Sequence, residues 1–399
     1  MEFDFMTPID RAGTDALAVN LIPVPGAAVQ AGYSRIPMWV ADMSFAAPDC
    51  IPQEIARRTA HPLYGYFELP QAYYDAILQW HRAHNGADAM TQACIGYENG
   101  VLGGVVSALE VLCSRGDSVL LHSPTYIGFS HVLENNGYHA EHSPLVQDAQ
   151  GVWRMDYADM ERRLQEKHIH AAILCSPHNP TGRVWERAEL EQAMEIFRRN
   201  DCFVISDEIW SDLVLDGHRH IPTQLVSEDA RRRTVALYAP SKTFNLAGLV
   251  GAYHVVYEPW LRDRLEKQSS LCHYNSPNLL AVYALIGAYS AEGGRWLTEL
   301  RGVLSDNARF ACDFIRAHFD GVTAAAPQGT YMLYPDCGGW CRAHGKTLDE
   351  LLRAGIAVGV IWQDGRPFLR DNTIRLNLAL PPVLLHEAFD RLQKHVFCG

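Results

Sequence analysis

Apolar runs of strand length alternate with helical stretches between residues 46 and 285. Two stretches, 156–168 and 186–199, carry apolar residues at helical spacing, which predicts amphipathic helices. The short apolar runs predict buried strands, and they cover residues 118–122, 171–176, 202–207 and 234–239. Strands that alternate with helices predict βαβ units and a mostly parallel sheet covered by helices on both faces.

The pattern changes after residue 289. A long helical stretch over 295–318 is followed by short strand patterns and by a closing helix that begins at residue 382. The strand patterns cover residues 322–326, 331–335, 356–361 and 373–379. The chain is therefore predicted to be an α/β protein with three segments. These are an irregular N-terminal arm (1–45) that packs with the small domain, a large three-layer domain (46–288) and a smaller α+β C-terminal domain (289–399).

Composition and charge narrow the class of protein. The 399 residues are 48% hydrophobic and carry a formal net charge of −12, whereas a nucleic-acid surface needs a basic face. The acidic N-terminus lacks the basic and apolar stretches of a signal peptide. No apolar run approaches the ~20 residues that span a bilayer. We therefore expect a cytoplasmic protein with neither a nucleic-acid nor a membrane partner.

The ten cysteines follow no disulfide framework, and in a chain of this length they are expected to be reduced thiols. Cys337 and Cys341 form the closest pair, followed by His344. Too few ligands lie at zinc spacing nearby, so no metal site is predicted.

Polar residues follow three successive predicted strands. They are Asn179 in the turn SPHNPTG, Asp207 and Lys242. Ligands of open parallel sheets bind beyond the carboxyl ends of the strands, so these side chains should meet at one edge of the sheet. Each also has a plainer interpretation. Asn179 could belong to an ordinary loop, Asp207 could be a helix N-cap, and Lys242 could be a phosphate-binding or surface lysine.

The chemistry of these residues suits one cofactor. Desolvation lowers the pKa of a lysine placed beyond a buried strand, which makes a neutral amine available for a Schiff base. A poorly solvated aspartate needs a cationic or hydrogen-bonding partner. The glycine-rich segment 99–104 opens a predicted helix over 101–113, and its free N–H groups favour an anion. Together these groups suit pyridoxal phosphate. The amine can bind its aldehyde, the acid its pyridine nitrogen, the amide its phenolic oxygen and the N–H groups its phosphate.

Six segments carry a resemblance to a known family. The chain resembles pyridoxal-phosphate enzymes of the aspartate-aminotransferase fold (fold type I), and most closely their cystathionine β-lyase or C–S lyase branch, from about residue 8 to 395. The segments are MWVADMSF (38–45), YGYF (64–67), SPHNPTGRVW (176–185), SDEIWSDL (206–213), APSKTFNLAGL (239–249) and IRLNLALP (374–381).

The resemblance implies a role for each candidate residue. Lys242 would bind the cofactor covalently and move protons, Asp207 would pair with the pyridinium nitrogen, and Asn179 would donate to the phenolic oxygen. Tyr126 would stack on the cofactor ring, with plain core packing as its alternative. Arg375 would grip the substrate carboxylate as a bidentate fork, or else form an ordinary ion pair on a strand.

The remaining candidates would hold the phosphate. The resemblance assigns this task to Ser241, to the amides near Gly100 and Val101, and to Tyr66, which serves the neighbouring subunit's site. It therefore implies a homodimer with shared active sites and a small-molecule amino-acid substrate.

The resemblance also implies a reaction, the α,β-elimination of cystathionine or another S-substituted L-cysteine to pyruvate, ammonia and a thiol. A class I/II aminotransferase is the alternative, because it uses the same fold and cofactor. Such aminotransferases usually have arginine eight residues after the lysine, where this chain has Val250, and TFNLAG matches the lyase branch. A role as a regulator that binds a transcription factor stays open as a second function.

Two departures from the family pattern concern selection of the substrate. Trp210 stands where the fourth position of the aspartate motif often has Tyr or His, which leaves the second contact to the phenolic oxygen unassigned. Ser44 replaces a common Asp.

Overall fold

A computed structural model describes residues 1–272 and 275–398. The strands are β1 (Ile36–Pro37), β2 (Ile95–Glu98), β3 (Ser118–Ser123), β4 (His139–Pro144), β5 (Val146–Gln147), β6 (Trp153–Arg154), β7 (Ala171–Cys175), β8 (Phe203–Asp207), β9 (Thr234–Tyr238), β10 (Ala252–Val255), β11 (Met332–Leu333), β12 (Val360–Ile361), β13 (Gln363–Asp364) and β14 (Ile374–Asn377).

The helices account for most of the remaining regular structure. They are α1 (Leu17–Asn20), α2 (Cys50–Thr59), α3 (Gln71–Asn85), α4 (Val101–Leu112), α5 (Ile127–Asn135), α6 (Tyr157–Lys167), α7 (Arg187–Arg199), α8 (Glu228–Arg233), α9 (Pro259–Cys272), α10 (Leu279–Ala288), α11 (Ala291–His318), α12 (Gly338–His344), α13 (Leu348–Ala357) and α14 (Pro382–His395). No helix of the described residues is both long and apolar enough to cross a membrane.

A seven-stranded sheet forms the centre of the large part of the chain, in the order β2-β10-β9-β8-β7-β3-β4. Strand β10 is antiparallel to both of its neighbours, and the other pairs are parallel. The predicted α/β class and mostly parallel sheet are therefore confirmed. The parallel order brings the carboxyl ends of β7, β8 and β9 side by side at one edge.

Side chains of alternate residues leave the sheet on opposite faces, and each face is covered by helices. On one face Ile205 packs in a cluster that includes Val105 and Leu109 of α4. On the other face Val204 packs in a cluster that includes Leu190 and Phe197 of α7. Burial on both faces explains why these strands are mainly apolar and could be recognised in the sequence.

The C-terminal part forms a small antiparallel sheet in the order β11-β14-β13, with α11 and α14 packed together beside it. The N-terminal arm joins this part, because β1 pairs in parallel with β12 through Ile36 and Val360. The proposed domain limits at residues 45 and 288 stay predictions.

Two of the predicted C-terminal strands are wrong. The run 322–326 contains only an isolated bridge between Thr323 and Asp336. Of the run 356–361, the first two residues end α13, and only Val360–Ile361 is a strand. A capping box between Thr347 and Glu350 starts α13, and a short apolar run cannot distinguish a helix end from a strand.

Candidate active site

A cavity with about 750 Å³ of empty volume opens where β7, β8 and β9 end, beside the first turn of α4. Seven of the nine residues proposed for the site line it: Gly100, Val101, Tyr126, Asn179, Asp207, Ser241 and Lys242. Arg375 adjoins the cavity through a hydrogen bond to Asn179, whereas Tyr66 lies elsewhere on the surface.

Lys242 enters the cavity four residues beyond the end of β9. Its Nζ donates to the carbonyl oxygen of Ala41 at 3.1 Å, so the N-terminal arm fixes the amine. Burial and the neighbouring guanidinium of Arg375 lower the pKa of Lys242 to about 8, against the opposing attraction of Asp207. A substantial fraction of neutral amine is therefore present near pH 8, as nucleophilic attack on an aldehyde requires.

Asp207 ends β8 and is only 4% exposed. Its Oδ1 accepts from the backbone N–H of Ile209 at 3.1 Å. Burial raises the pKa of Asp207 to about 7, although the Ile209 hydrogen bond and then Lys242 act against the shift. A buried carboxyl group with so little compensation is suited to a cationic partner such as a protonated pyridine nitrogen.

The first turn of α4 can bind an anion. Gly100, the residue before the helix, has φ of +78° and makes no side-chain cap, so the N–H groups of the first turn are left for a ligand. The positive φ explains why glycine stands there. Ser241 adds a hydroxyl to the cavity lining. Val250 also lines the cavity, but its side chain carries no positive charge for an anion.

Tyr126 precedes α5 and places its ring in the cavity wall. The ring lies so close to Gly128 that a Cβ atom there would come within 2.4 Å of it, so only glycine permits this orientation. The edge-to-face contact with Phe129, with ring centroids 5.4 Å apart, supports the ring from behind. A planar cofactor could stack on the face that remains.

Arg375 lies on β14 and is only 4% exposed. Its Nη1 donates to Asn179 Oδ1 at 3.3 Å, and its Nη2 donates to the Trp39 carbonyl at 3.0 Å and to Gln363 Oε1 at 2.6 Å. The guanidinium lies 4.5 Å from the centroid of the Phe368 ring. Burial lowers the pKa of Arg375 to about 10, which leaves a cation at neutral pH without a carboxylate partner among the described residues.

Tyr66 is fully exposed and lines a separate surface depression with Phe67, Pro277 and Leu280. Within one chain, Tyr66 therefore does not lie in the cavity that contains Lys242. Its assignment to a neighbouring subunit's site stays a prediction.

Several lining residues were not proposed as site residues from the sequence. The carbonyl of Ala41 holds Lys242, and its motif MWVADMSF was the only signal for it. Trp210, 2% exposed, places its ring centroid 5.9 Å from Lys242 Nζ.

Cys337 and Cys341 are buried free thiols, and the described residues contain no group of three potential metal ligands.

Similarity to known proteins identifies the family of this chain. The model of the family "Aminotransferase class I and II" matches residues 42–392. The chain belongs to this family. Cystathionine β-lyase PatB of Bacillus subtilis is 33% identical to this chain over 80% of this chain and 82% of its own length. Protein MalY of Escherichia coli is 31% identical over 93% of this chain and 94% of its own. The structure of the PLP-bound C–S lyase of Staphylococcus hominis superposes on this chain with a TM-score of 0.88 and 27% identity, and the match covers 98% of each chain.

Proposed function

We propose that the protein is a pyridoxal-phosphate-dependent C–S β-lyase that acts on S-substituted L-cysteines such as cystathionine. The observation that carries the proposal is Lys242, an amine with a pKa of about 8 held in one cavity with a buried carboxyl group and beside a buried guanidinium. The amine can bind the cofactor aldehyde, the carboxyl group can pair with the pyridine nitrogen, and the guanidinium can bind the substrate carboxylate. The similarity to PatB and to the Staphylococcus hominis lyase supports the choice of reaction.

The residues divide the chemistry among them. The bound cofactor supplies an electron sink for the α-carbon of the substrate. Arg375 binds the α-carboxylate, and Asp207 stabilises positive charge at the ring nitrogen. Lys242 Nζ would hold the cofactor aldehyde and would accept the α-proton of the substrate. The Cβ–S bond then breaks with its electron pair on sulfur, and the thiolate takes up a proton. Water hydrolyses the unsaturated amine that remains to pyruvate and ammonia, so the net reaction consumes one water and involves no oxidation.

An aminotransferase is the second candidate, because the family model carries that description. Val250 favours the lyase, since aminotransferases of this fold usually place arginine at that position. Val250 has φ of +50°, a conformation that is unusual for a β-branched residue, and it lines the cavity beside Gly100.

The fate of the amino group separates the two candidates. We expect the purified holoenzyme to release pyruvate, ammonia and homocysteine from cystathionine in equal amounts and over many turnovers without any keto acid. An aminotransferase would stop after one turnover per site and would resume when a keto acid is added. That second result would overturn the lyase assignment.

The proposal includes a cytoplasmic homodimer in which Tyr66 serves the partner's phosphate site. Supporting it, the segment around Tyr66 exposes Leu63 by 68% and Tyr64 by 60%, which is unusual for large apolar side chains that have no covering partner. A protein that light scattering shows to be a monomer, and that is nevertheless fully active in the lyase assay, would contradict this arrangement.

A further inference from the structure

The turn before α4 is joined to a buried carboxylate behind it. Glu98, the last residue of β2, is only 1% exposed. Its Oε1 accepts from His254 Nδ1 at 2.7 Å, and its Oε2 accepts from Ser107 Oγ at 2.8 Å and from Asn275 Nδ2 at 2.6 Å. A buried carboxylate with three donors is a firm anchor, because moving it would leave a charge and its donors unsatisfied.

His254 reaches the carboxylate because glycine stands at position 96. Gly96 and His254 are direct partners in the antiparallel pairing of β2 and β10. A Cβ atom at Gly96 would lie 2.2 Å from the imidazole ring, so a larger residue would push the ring away. Side chains two residues apart lie on the same face of a strand, which places the ring beside Glu98.

Asn275 connects this carboxylate to the backbone of the turn. It is half-buried, and its one amide group makes both contacts. Its Nδ2 donates to Glu98, and its Oδ1 accepts the backbone N–H of Asn99 at 3.1 Å. A side-chain amide carries its donor and its acceptor on separate atoms, so it can bridge a carboxylate and an N–H group.

The segment that carries Asn275 is itself anchored. The backbone N–H of Asn278 donates to the Tyr97 hydroxyl at 3.1 Å, and its Nδ2 donates to the Leu249 carbonyl at 3.1 Å. The Tyr97 hydroxyl in turn donates to the Val250 carbonyl at 3.2 Å. These bonds fix the segment to β2 and to the loop that lines the cavity.

The turn divides its N–H groups between the protein and the cavity. The N–H of Asn99 is bonded to the amide side chain described above, and the N–H of Gly100 donates to the carbonyl of the last residue of β2 at 3.0 Å. Val101 and Leu102 are the first two residues of α4, so intrahelical bonds leave their N–H groups unused. Both residues line the cavity. The orientation of the Asn99 peptide therefore sets the direction of the N–H groups that follow.

We propose that Asn275 and Glu98 are positioning residues for the cofactor phosphate. Glu98 holds the amide of Asn275, the amide holds the Asn99 N–H, and this contact directs the N–H groups of the first turn of α4 at the phosphate. Glu98 acts through its position, since the charge of a carboxylate by itself repels a phosphate. The inference rests on the cofactor site of the proposed function, and it applies to a lyase and to an aminotransferase alike.

Two ligands that share a ring and an aldehyde test the proposal on the apoprotein. Pyridoxal phosphate carries the phosphate and pyridoxal does not, and absorbance titration gives the dissociation constant of each. Asn275→Ala should weaken the binding of pyridoxal phosphate by about 10-fold or more, because charge-assisted hydrogen bonds to the phosphate are misplaced. Pyridoxal makes none of these bonds, so its dissociation constant should stay close to that of the parent protein.

Asn200→Ala is the matched control. Asn200 is also half-buried, and its Nδ2 donates to the Ile196 carbonyl at 2.8 Å at the end of α7. The substitution removes the same amide group outside the cavity lining and should leave both dissociation constants unchanged. If Asn275→Ala weakens both ligands by the same factor, or changes them no more than the control does, Asn275 has only a general structural role and the proposal is wrong.

Amide hydrogen exchange of the parent protein tests the proposal without a substitution. The Asn99 N–H should be protected in the apoprotein, because Asn275 holds it before any ligand binds. The N–H groups of Val101 and Leu102 should gain protection with pyridoxal phosphate or inorganic phosphate, and not with pyridoxal. An Asn99 N–H that exchanges as fast as that of Val101 in the apoprotein would overturn the proposal. Pyruvate release by the parent holoenzyme decides the proposed function separately, since none of these binding measurements involves turnover.

Discussion

Asp207 should destabilise the protein when no cofactor is bound, and this effect should depend on pH. Its pKa is raised from 3.8 to about 7 by burial. Between these values the folded protein keeps a proton that the unfolded chain has lost. The unfolded state therefore binds fewer protons, and the free energy of unfolding falls as the pH rises from about 4 to about 7, then stays level with respect to this group.

The size of the effect follows from the two pKa values. At about 1.4 kcal/mol for each tenfold change in proton affinity, the interval from 3.8 to about 7 corresponds to about 4 kcal/mol. Asp207→Asn keeps a side chain of the same shape, with an oxygen for the Ile209 N–H, and has no carboxyl group to ionise. The variant apoprotein should therefore be more stable than the parent apoprotein above pH 7. Its advantage should grow by about 2 kcal/mol between pH 5 and pH 7.

Urea unfolding of the two apoproteins, at one fixed protein concentration and at several pH values, measures this difference. Asp371→Asn is the control, because Asp371 is exposed and the substitution removes the same charge. In the holoenzyme the order should reverse, since the cofactor then gives Asp207 a cationic partner. An advantage that does not change with pH, or a variant apoprotein that is less stable above pH 7, would show that Asp207 is ionised in the empty cavity and would refute the reasoning.

Three further predictions concern the other site residues. The rate at which the apoprotein captures the cofactor aldehyde should rise about tenfold per pH unit below pH 8 and level off above it, because only neutral Lys242 reacts. Stopped-flow absorbance measures this rate, and borohydride reduction should fix the cofactor to Lys242. Arg375→Lys should raise KM for every amino-acid substrate by about 10-fold or more, since a lysine loses the bidentate grip, and an unchanged KM in steady-state assays would contradict the assignment. Mixing Lys242→Ala with Tyr66→Phe protomers should restore activity through one sound site in each heterodimer, and a mixture no more active than its components would contradict a shared site.

Much of the fold was accessible from the sequence because its central strands are buried on both faces. Strands β7, β8 and β9 are short, buried and mainly apolar, and the residues at or beyond their ends, among them Asp207 and Lys242, were found by position alone. Strand β4, with the sequence HAEHSP, was missed, because an edge strand with a partly exposed surface has no apolar run. The antiparallel pairing of β10 was also missed, since local pattern does not encode the direction of a strand.

The sequence by itself determined the α/β class, the cofactor chemistry and seven of the fifteen residues that line the cavity, because each of these depends on a short segment with its own signature. Only the tertiary structure decided how the segments act on one another. The arm at Trp39 and Ala41, Lys242 after β9 and Arg375 on β14 are distant in the chain, and hydrogen bonds join them only in the fold. The low pKa of Lys242 comes from burial and from Arg375. Desolvation and charge interaction depend on distances in space, which spacing along the chain does not fix.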